Sequence, residues 1–334
     1  PVGARSSDAR CCTPSGAHRA AMSVLLRLRR LDAALANPTE LRRCLRLHDL
    51  LFFGVASVVG AGIFVTVGVA GKEAGPGLIV AFFLAGVCCT PTALCYAELA
   101  TRYPFAGSIY SFVSRCLGDY FAFIIGLSLI MDGMVSGAAV AKACAAYFAQ
   151  VLVSAGIPVP AVLINLQLNA VIGISLSAPV VLGGMGYTAY RGVKTMSRFN
   201  NIVTIANILI IVVVIIAGFS LVQAKNYDPL LPTGVAGVGR ASALTFFAML
   251  GFDSATSLAE ETVNPERVMP RAILWTVAIT TVMYMCISMV FCGLVPHTQI
   301  DDAAPLAHAF RVRGAPILAT VIAIGAVGNM ATTL

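Results

Sequence analysis

The sequence predicts an all-α, polytopic membrane protein, and three properties of the chain support that class. Of its 334 residues, 58% are hydrophobic and only 11% are charged, whereas soluble domains carry about 25% charged residues. Mean hydropathy is +0.88. Apolar stretches long enough for the ~20 residues that a spanning helix needs recur along the chain. They lie at about 48–71, 76–99, 117–149, 161–184, 199–220, 241–259, 272–295 and 315–334.

The basic residues predict the orientation of these spans. Most of the 22 Lys and Arg residues lie in residues 1–47 or in loops on the same side of the membrane as that segment. Cytoplasmic loops carry such an excess of Lys and Arg. We therefore expect residues 1–47 to form a basic cytoplasmic N-terminal tail of an integral, multi-pass protein in the lipid bilayer. The net charge of +7 is then a topology signal, and we expect no nucleic-acid partner.

The first span has Gly-Ala-Gly at its middle, in VASVVGAGIFVTVG (55–68). Lipid offers no hydrogen-bonding partner, so a helix break inside a membrane is tolerated only where the freed backbone groups line a polar cavity. Gly60 and Gly62 therefore predict a broken helix that forms a ligand site. The alternative is a helix that uses its glycines for close packing against a neighbour.

The sixth span, LTFFAMLGFDSATS (244–257), repeats this arrangement, with Gly251 and Asp253 inside an apolar run. Two interrupted helices at corresponding places in two halves of a polytopic protein are typical of secondary transporters. An ionised Asp at a helix centre costs about 2.5–3.5 kcal/mol on insertion scales. We therefore expect Asp253, and also Asp132 in LIMDGMVSG of the third span, to face a cavity or a polar partner.

Other function classes lack their usual patterns in this sequence. The ten Cys and four His residues form no metal-ligating or redox motif, and no phosphate-binding loop or nucleophile elbow occurs. We therefore expect no metal and no cofactor, and we do not expect an enzyme. A heptahelical receptor is a further alternative, but it would normally place its N-terminus outside and needs no broken helices.

Three separated motifs resemble the amino acid–polyamine–organocation (APC) transporters. The run LRRCLRLHDLLFFGVASVVGAGIFVTVG (41–68) is similar to their first span, and CYAELATRYPFAGSIY (95–110) to their loop after helix 2. The segment FFAMLGFDSATSLAEETVNPERVMP (246–270) resembles their helix 6 and the loop after it. The resemblance extends over about residues 41–334 and is greatest to the cationic amino acid transporter family.

This resemblance implies the leucine-transporter-type fold, in which two inverted five-helix repeats enclose a central site between broken helices 1 and 6. Residues 48–220 would form the first five-helix repeat. Residues 241–334 would form the first three helices of the second, incomplete repeat. Since the chain starts with Pro1 and stops inside an apolar run, we expect a fold truncated after about eight transmembrane helices, with Met22 as a candidate start.

The half-helix ends predict the chemistry of the site. Backbone N–H groups at a helix N-terminus suit a substrate carboxylate, and we assign this role to the backbone of four consecutive residues. They are Gly60, Ala61, Gly62 and Ile63. The family pattern assigns carbonyls for an α-ammonium group to Val58, Phe247, Ala248 and Leu250.

Three polar positions add to the substrate-binding set. Asp132 aligns with an acidic position of plant and bacterial relatives and is expected to attract a cationic side chain, the alternative being a bracing hydrogen bond to a neighbouring helix. Asp253 follows the helix 6 break. Asn329 in GAVGNMATTL stands where the family has a small or apolar residue, which leaves the substrate open.

The resemblance implies transport of amino acids by alternating access, with cationic ones (arginine, lysine, ornithine) expected. Asn207 occupies the place where proton-coupled bacterial relatives carry a titratable Lys. Because Asn does not titrate, we expect potential-driven uniport. The alternative is a proton-coupled permease for a neutral amino acid, GABA, choline or a polyamine.

Two further expectations concern partners and location. The loop QVLVSAGIPVP (150–160) lacks the Cys that links light subunits of heteromeric transporters to a heavy chain, so we expect no covalent heavy-chain partner. The plasma membrane is the expected location, and a vacuolar or other internal membrane is the alternative.

Overall fold

The computed structural model describes residues 43–60, 62–105, 107–154, 166–167, 173–174, 179, 183, 187, 193–301 and 304–333. These residues are almost all helical. The α-helices are α1 (Leu47–Val58), α2 (Val67–Ala74), α3 (Leu78–Arg102), α4 (Ser108–Cys116), α5 (Asp119–Ser154), α6 (Val193–Leu221), α7 (Gly234–Ala248), α8 (Pro265–Leu294), α9 (Pro305–Val312) and α10 (Pro316–Thr333). Short helical turns of other types connect them. A π-helical turn covers Gly62–Thr66, and 3₁₀ turns cover Gly75–Gly77, Ala224–Tyr227, Phe252–Glu261 and His297–Gln299.

The described helices confirm the multi-pass membrane class. Five helical stretches are long and apolar enough to cross a membrane, and Pro316–Met330 is a shorter apolar helix. The five are Leu47–Arg102, Asp119–Val153, Val203–Leu221, Gly234–Glu261 and Pro265–Leu294. The first of them contains two of the predicted spans, because the chain passes from α2 to α3 with only the turn Gly75–Gly77 between them.

Helix starts differ most from the predicted spans at α6, α7 and α8. Each begins six or seven residues before the predicted start. The additional residues include charged ones such as Lys194, Arg240 and Glu266. Hydropathy marks only the apolar part of a helix, whereas backbone hydrogen bonding continues into the polar flank.

The sequence predicted a helical span at 161–184, but four of the residues described there form two short paired strands. Leu166 and Gln167 pair in antiparallel register with Ile174 and Gly173. The sequence Asn-Leu-Gln-Leu-Asn at 165–169 alternates polar and apolar residues, which is the two-residue period of a strand. A continuous helix across these four residues is therefore wrong. The remainder of this span lies largely outside the described residues.

The core that positions the site lies where α8 packs against α3 and α1. Leu50, Phe82, Ile273 and Ile287 are fully buried there. A second contact region joins α10 to α5 and α6, and α7 packs against α2 and α3. The two halves of the first span, α1 and α2, are thus each held by long helices of the bundle.

Candidate functional site

The first span is broken, as Gly60 and Gly62 predicted. Helix α1 ends at Val58, and Val59 has φ −76° and ψ 57°, the conformation of an inverse γ-turn. In agreement with such a turn, the N–H of Gly60 donates to the carbonyl of Val58 at 2.8 Å. The chain becomes helical again as the π turn at Gly62 and continues as α2. Ala61 lies outside the described residues.

The sixth span is broken as well, at a stretch that ends with Gly251. Helix α7 ends at Ala248. Gly251 has φ +121°, a backbone conformation that residues with a Cβ atom rarely adopt. The chain then continues as the 3₁₀ helix Phe252–Glu261 with Asp253 in its first turn. The break therefore spans Met249–Gly251, as the sequence indicated.

The two breaks touch each other through glycine. A Cβ at Gly251 would lie 2.8 Å from the carbonyl oxygen of Ser57 in α1, and a Cβ at Gly62 would lie 3.1 Å from the backbone of Ala248. Each glycine thus lets one broken helix approach the backbone of the other. The sequence left close packing as the alternative role of these glycines. Both roles apply, because the glycines pack the two spans together at the point where both helices are interrupted.

A buried tyrosine of α8 connects the carbonyls of the two breaks. The hydroxyl of Tyr284 lies 2.8 Å from the carbonyl oxygen of Val58 and 3.3 Å from that of Ala248. The side chain is fully buried. Because Val58 already accepts from the N–H of Gly60, both lone pairs of its carbonyl are engaged.

Two more side chains from other helices bind the first break. The amide nitrogen of Asn329 in α10 donates to the carbonyl of Val59. The hydroxyl of Tyr147 in α5 donates to the carbonyl of Phe64 at 2.7 Å. All three tethers, including Tyr284, are neutral donors that bind backbone carbonyls of the first span.

A cavity of about 570 Å³ opens beside the two breaks. Its wall comes from four segments that are distant in sequence. The first span contributes Ser57, Val58, Gly60, Gly62, Val65 and Thr66, and α3 contributes Thr92 and Tyr96. Helix α5 contributes Asp132, Ser136, Ala139, Val140 and Ala143. The sixth span contributes Phe247, Ala248, Leu250, Gly251, Phe252, Asp253 and Ser254. Most of the wall is apolar, with a few hydroxyls and two carboxylates, as is usual for small-molecule sites.

The two carboxylates differ in their surroundings. Asp253 is half-buried and lies in the first turn of the 3₁₀ helix, where a negative charge is favourable. Asp132 is exposed on α5 and faces the same cavity. The N-terminus of the 3₁₀ helix thus already holds an anion, whereas the helix restarting at Gly62 has no acidic residue in its first turn.

Most of the residues predicted for the site come together in this cavity. Its wall includes Val58, Gly60, Gly62, Asp132, Phe247, Ala248, Leu250 and Asp253. Ile63 is fully buried and its side chain is not part of the wall. Asn329 and Asn207 are 4% and 3% exposed, and neither lines the cavity. Asn329 faces the first break, because its amide binds Val59.

Sequence reasoning did not identify Tyr284, Tyr147 or Tyr96. A tyrosine inside an apolar span needs a hydrogen-bond partner for its hydroxyl, and that signal was present in the sequence at all three positions. It did not tell which backbone groups the hydroxyls of Tyr284 and Tyr147 would reach, because those partners are 226 and 83 residues away.

Comparisons with known proteins agree with this architecture. Residues 45–334 match the amino acid permease family. The chain belongs to that family. It is therefore a member of the APC superfamily, as the three motifs predicted, and it is a multi-pass protein of the membrane. This membership favours transport of amino acids over catalysis.

Three relatives show how the chain compares in length and identity. It is 36% identical to the methylthioribose transporter of Bacillus subtilis (strain 168) over 94% of the chain and 69% of the relative. It is 36% identical to the branched-chain amino acid permease BcaP of the same organism over 91% of the chain and 66% of the relative. It is 36% identical to cationic amino acid transporter 1 of Arabidopsis thaliana over 88% of the chain, but the match spans only 50% of that relative.

Proposed function

We propose that this chain transports cationic amino acids by alternating access between the two sides of the membrane. The observation that carries the proposal is the cavity at the two helix breaks, with Asp132 and Asp253 both in its wall. Membership of the amino acid permease family supports the amino acid as substrate. The plant relatives named as cationic amino acid transporters support the cationic class.

The geometry suggests how such a substrate would lie. Its carboxylate would bind at the half-helix that restarts at Gly62, since a helix N-terminus attracts anions. The N-terminus of the other half-helix already has an acidic residue, Asp253, in its first turn. The α-ammonium group would bind the carbonyls of Phe247, Ala248 and Leu250.

Asp132 is the group proposed to select the charge of the substrate side chain. It projects from α5 into the cavity, on a helix that belongs to neither break. A carboxylate there is attractive to a guanidinium or ammonium group. Asp253 contributes negative potential, but it is half-buried at the helix break and is therefore less accessible than the exposed Asp132.

Uptake of radiolabelled amino acids into proteoliposomes tests the substrate class. Lysine, arginine and ornithine should be taken up in preference to leucine and GABA. Asp132→Asn should reduce lysine uptake more than any remaining leucine uptake. Ser136→Ala, which changes a cavity residue one turn along the same helix, is the matched control and should affect both alike. Equal losses for both substrates in Asp132→Asn would assign Asp132 to bracing instead.

We propose potential-driven uniport as the mechanism of energy coupling. Neither of the two buried asparagines, Asn207 and Asn329, can titrate, and Asn329 binds the first break through a neutral amide. A cationic substrate needs no coupled ion, because one charge across 100 mV gains about 2.3 kcal/mol. If so, collapsing the proton gradient at a clamped potential should leave lysine uptake unchanged. A several-fold fall would instead show that a carboxylate of the cavity carries protons.

A neutral substrate is the second candidate, and the two Bacillus subtilis relatives favour it. They are named for methylthioribose and for branched-chain amino acids. Preferred uptake of leucine or of methylthioribose in the same panel would select this alternative. We propose from the charge asymmetry of the sequence that residues 1–47 are cytoplasmic. The plasma membrane remains the expected location, with a vacuolar or other internal membrane as the alternative. Protease cleavage of the tail in intact and permeabilised cells tests that orientation.

A further inference from the structure

Three aromatic rings connect the cavity to the short helix α4. Tyr96 of α3 lies edge to face against Phe252, with ring centroids 5.8 Å apart at 86°, and against Phe112 of α4, with centroids 6.2 Å apart at 73°. Phe252 and Phe112 are 1% and 2% exposed. Tyr96 and Phe252 line the cavity, whereas Phe112 does not. We call Phe252, Tyr96 and Phe112 the aromatic ladder.

A hydrogen-bonded chain runs beside the aromatic ladder between the same elements. The hydroxyl of Thr256 donates to the carbonyl of Asp253 at 2.6 Å. Its oxygen lies 2.7 Å from the hydroxyl oxygen of Ser108. Because the proton of Thr256 is engaged, Ser108 is the donor of that second bond. The first residue of α4 is thus joined to the 3₁₀ helix that carries Asp253.

The other end of α4 is held on the loop that follows α3. The guanidinium carbon of Arg115 lies 3.5 Å from the ring centroid of Phe105 and 5.9 Å from that of Tyr103. Helix α4 therefore has two connections to α3 and its loop, through Phe112 and Arg115, and one to the 3₁₀ helix, through Ser108. It is a nine-residue helix that links the second span to the second half of the sixth.

We propose that α4 and the aromatic ladder form a gate that closes the cavity on the side of α4. This proposal rests on the proposed transport cycle, in which the cavity must open to each side in turn. The 3₁₀ helix is the half of the broken sixth span that lies on the α4 side, and it has no continuous hydrogen-bonded connection to α7. It can separate from Tyr96 only if the ring contacts and the Ser108 bond are broken. The ladder therefore sets how often the cavity opens toward α4.

The gate can be tested without measuring transport, by labelling a cysteine placed in the cavity. Ser254→Cys puts a thiol in the cavity wall, and its reaction with a membrane-impermeant maleimide is followed in vesicles of defined orientation. Labelling of the chain without this substitution is subtracted, because native cysteines such as Cys116 are exposed. Adding Phe112→Leu should raise the labelling rate from the α4 side by about fivefold to tenfold. Labelling from the opposite side should not rise.

Two further variants separate the gate from a general loss of packing. Ser108→Ala removes the hydrogen bond but keeps the rings, and should raise labelling from the α4 side by a smaller factor. Phe123→Leu removes an aromatic ring of α5 that is 70% exposed and lies outside the aromatic ladder, and should leave labelling unchanged. If Phe112→Leu does not fold, Ser108→Ala still decides the outcome.

The possible results distinguish the gate from the proposed function. Unchanged labelling in a folded Phe112→Leu or Ser108→Ala protein would overturn the gate, whatever the uptake assays show. Faster labelling from the α4 side, together with absent uptake of lysine, would support the gate and reject the proposed substrate. Faster labelling from both sides would indicate general loosening of the bundle and would also overturn the gate.

Discussion

The two helix breaks that meet at the cavity are maintained in different ways. The first break is tethered by side chains of three other helices, because Tyr284, Asn329 and Tyr147 each reach one of its carbonyls. The second break depends mainly on its own residues, with Gly251 at φ +121° and Asp253 in the helical turn that follows it. Only Tyr284 is shared.

This difference indicates which changes each break tolerates. A break maintained by several external donors should weaken in steps as single donors are removed. A break maintained by one backbone conformation should fail at once when that residue changes. Substitutions at the two breaks therefore test this difference, and we expect the largest effect on lysine uptake at Gly251.

The largest effect is expected for Gly251→Ala. The new Cβ would lie 2.8 Å from the carbonyl oxygen of Ser57, and a φ of +121° is unfavourable for alanine, so the second break cannot keep its shape. We expect complete loss of lysine uptake together with a lower folded yield on size-exclusion chromatography. Gly239→Ala, in α7 with open space around its Cα, is the control and should transport normally. Uptake near the parental level in Gly251→Ala would show that the conformation is not required.

Gly62→Val should abolish transport while leaving surface expression near normal. A Cβ at Gly62 lies 3.1 Å from Ala248, tighter than ordinary contact, so the γ-methyl groups of Val would separate the two breaks and cover the N–H groups proposed for the carboxylate. The external tethers of the first break should still allow folding, which distinguishes this variant from Gly251→Ala. Uptake is compared at equal surface level with Gly239→Val as control. Uptake within about a factor of two of the parent would contradict the prediction.

Tyr284→Phe should have an intermediate effect, because it removes one hydroxyl that serves both breaks. The carbonyl of Val58 keeps the N–H of Gly60 as a donor, so the loss is that of a typical hydrogen bond, about 0.5–1.5 kcal/mol, or roughly a twofold to tenfold change in an equilibrium. We expect lysine uptake to fall by about that factor with a modest decrease in thermal stability. Tyr120→Phe, at a hydroxyl that is exposed on α5, should change neither. An unaffected Tyr284→Phe protein would show that the bond is dispensable.

The sequence predicted where the helices break but not what stabilises the breaks. Gly60, Gly62 and Gly251 stand out because a glycine inside a membrane span is a local signal. The partners of those breaks are not local, since Val58 meets Tyr284 226 residues later. No pattern around Tyr284 specifies that distance. The same reason explains Asn329, which the family comparison assigned to the substrate and which the structure shows bonded to the backbone of Val59.

The smallest effects, and opposite ones, are expected for the two buried asparagines. Both are nearly inaccessible. Asn329 donates to the carbonyl of Val59, whereas the amide nitrogen and oxygen of Asn207 have no hydrogen-bond partner among the described residues. Replacing a bonded amide by leucine leaves the carbonyl of Val59 without that donor. Replacing an unsatisfied amide removes a buried polar group that costs free energy.

We therefore expect Asn329→Leu to lower the free energy of unfolding by about 1 kcal/mol and to reduce lysine uptake. We expect Asn207→Leu to leave stability unchanged or to raise it by about 1 kcal/mol. Thermal unfolding and uptake are measured on both variants side by side, so that each serves as the control for the other. Because leucine cannot carry a proton, retained uptake in Asn207→Leu would also agree with uniport. Loss of stability in Asn207→Leu would show that this amide has a hydrogen-bond partner in the working protein.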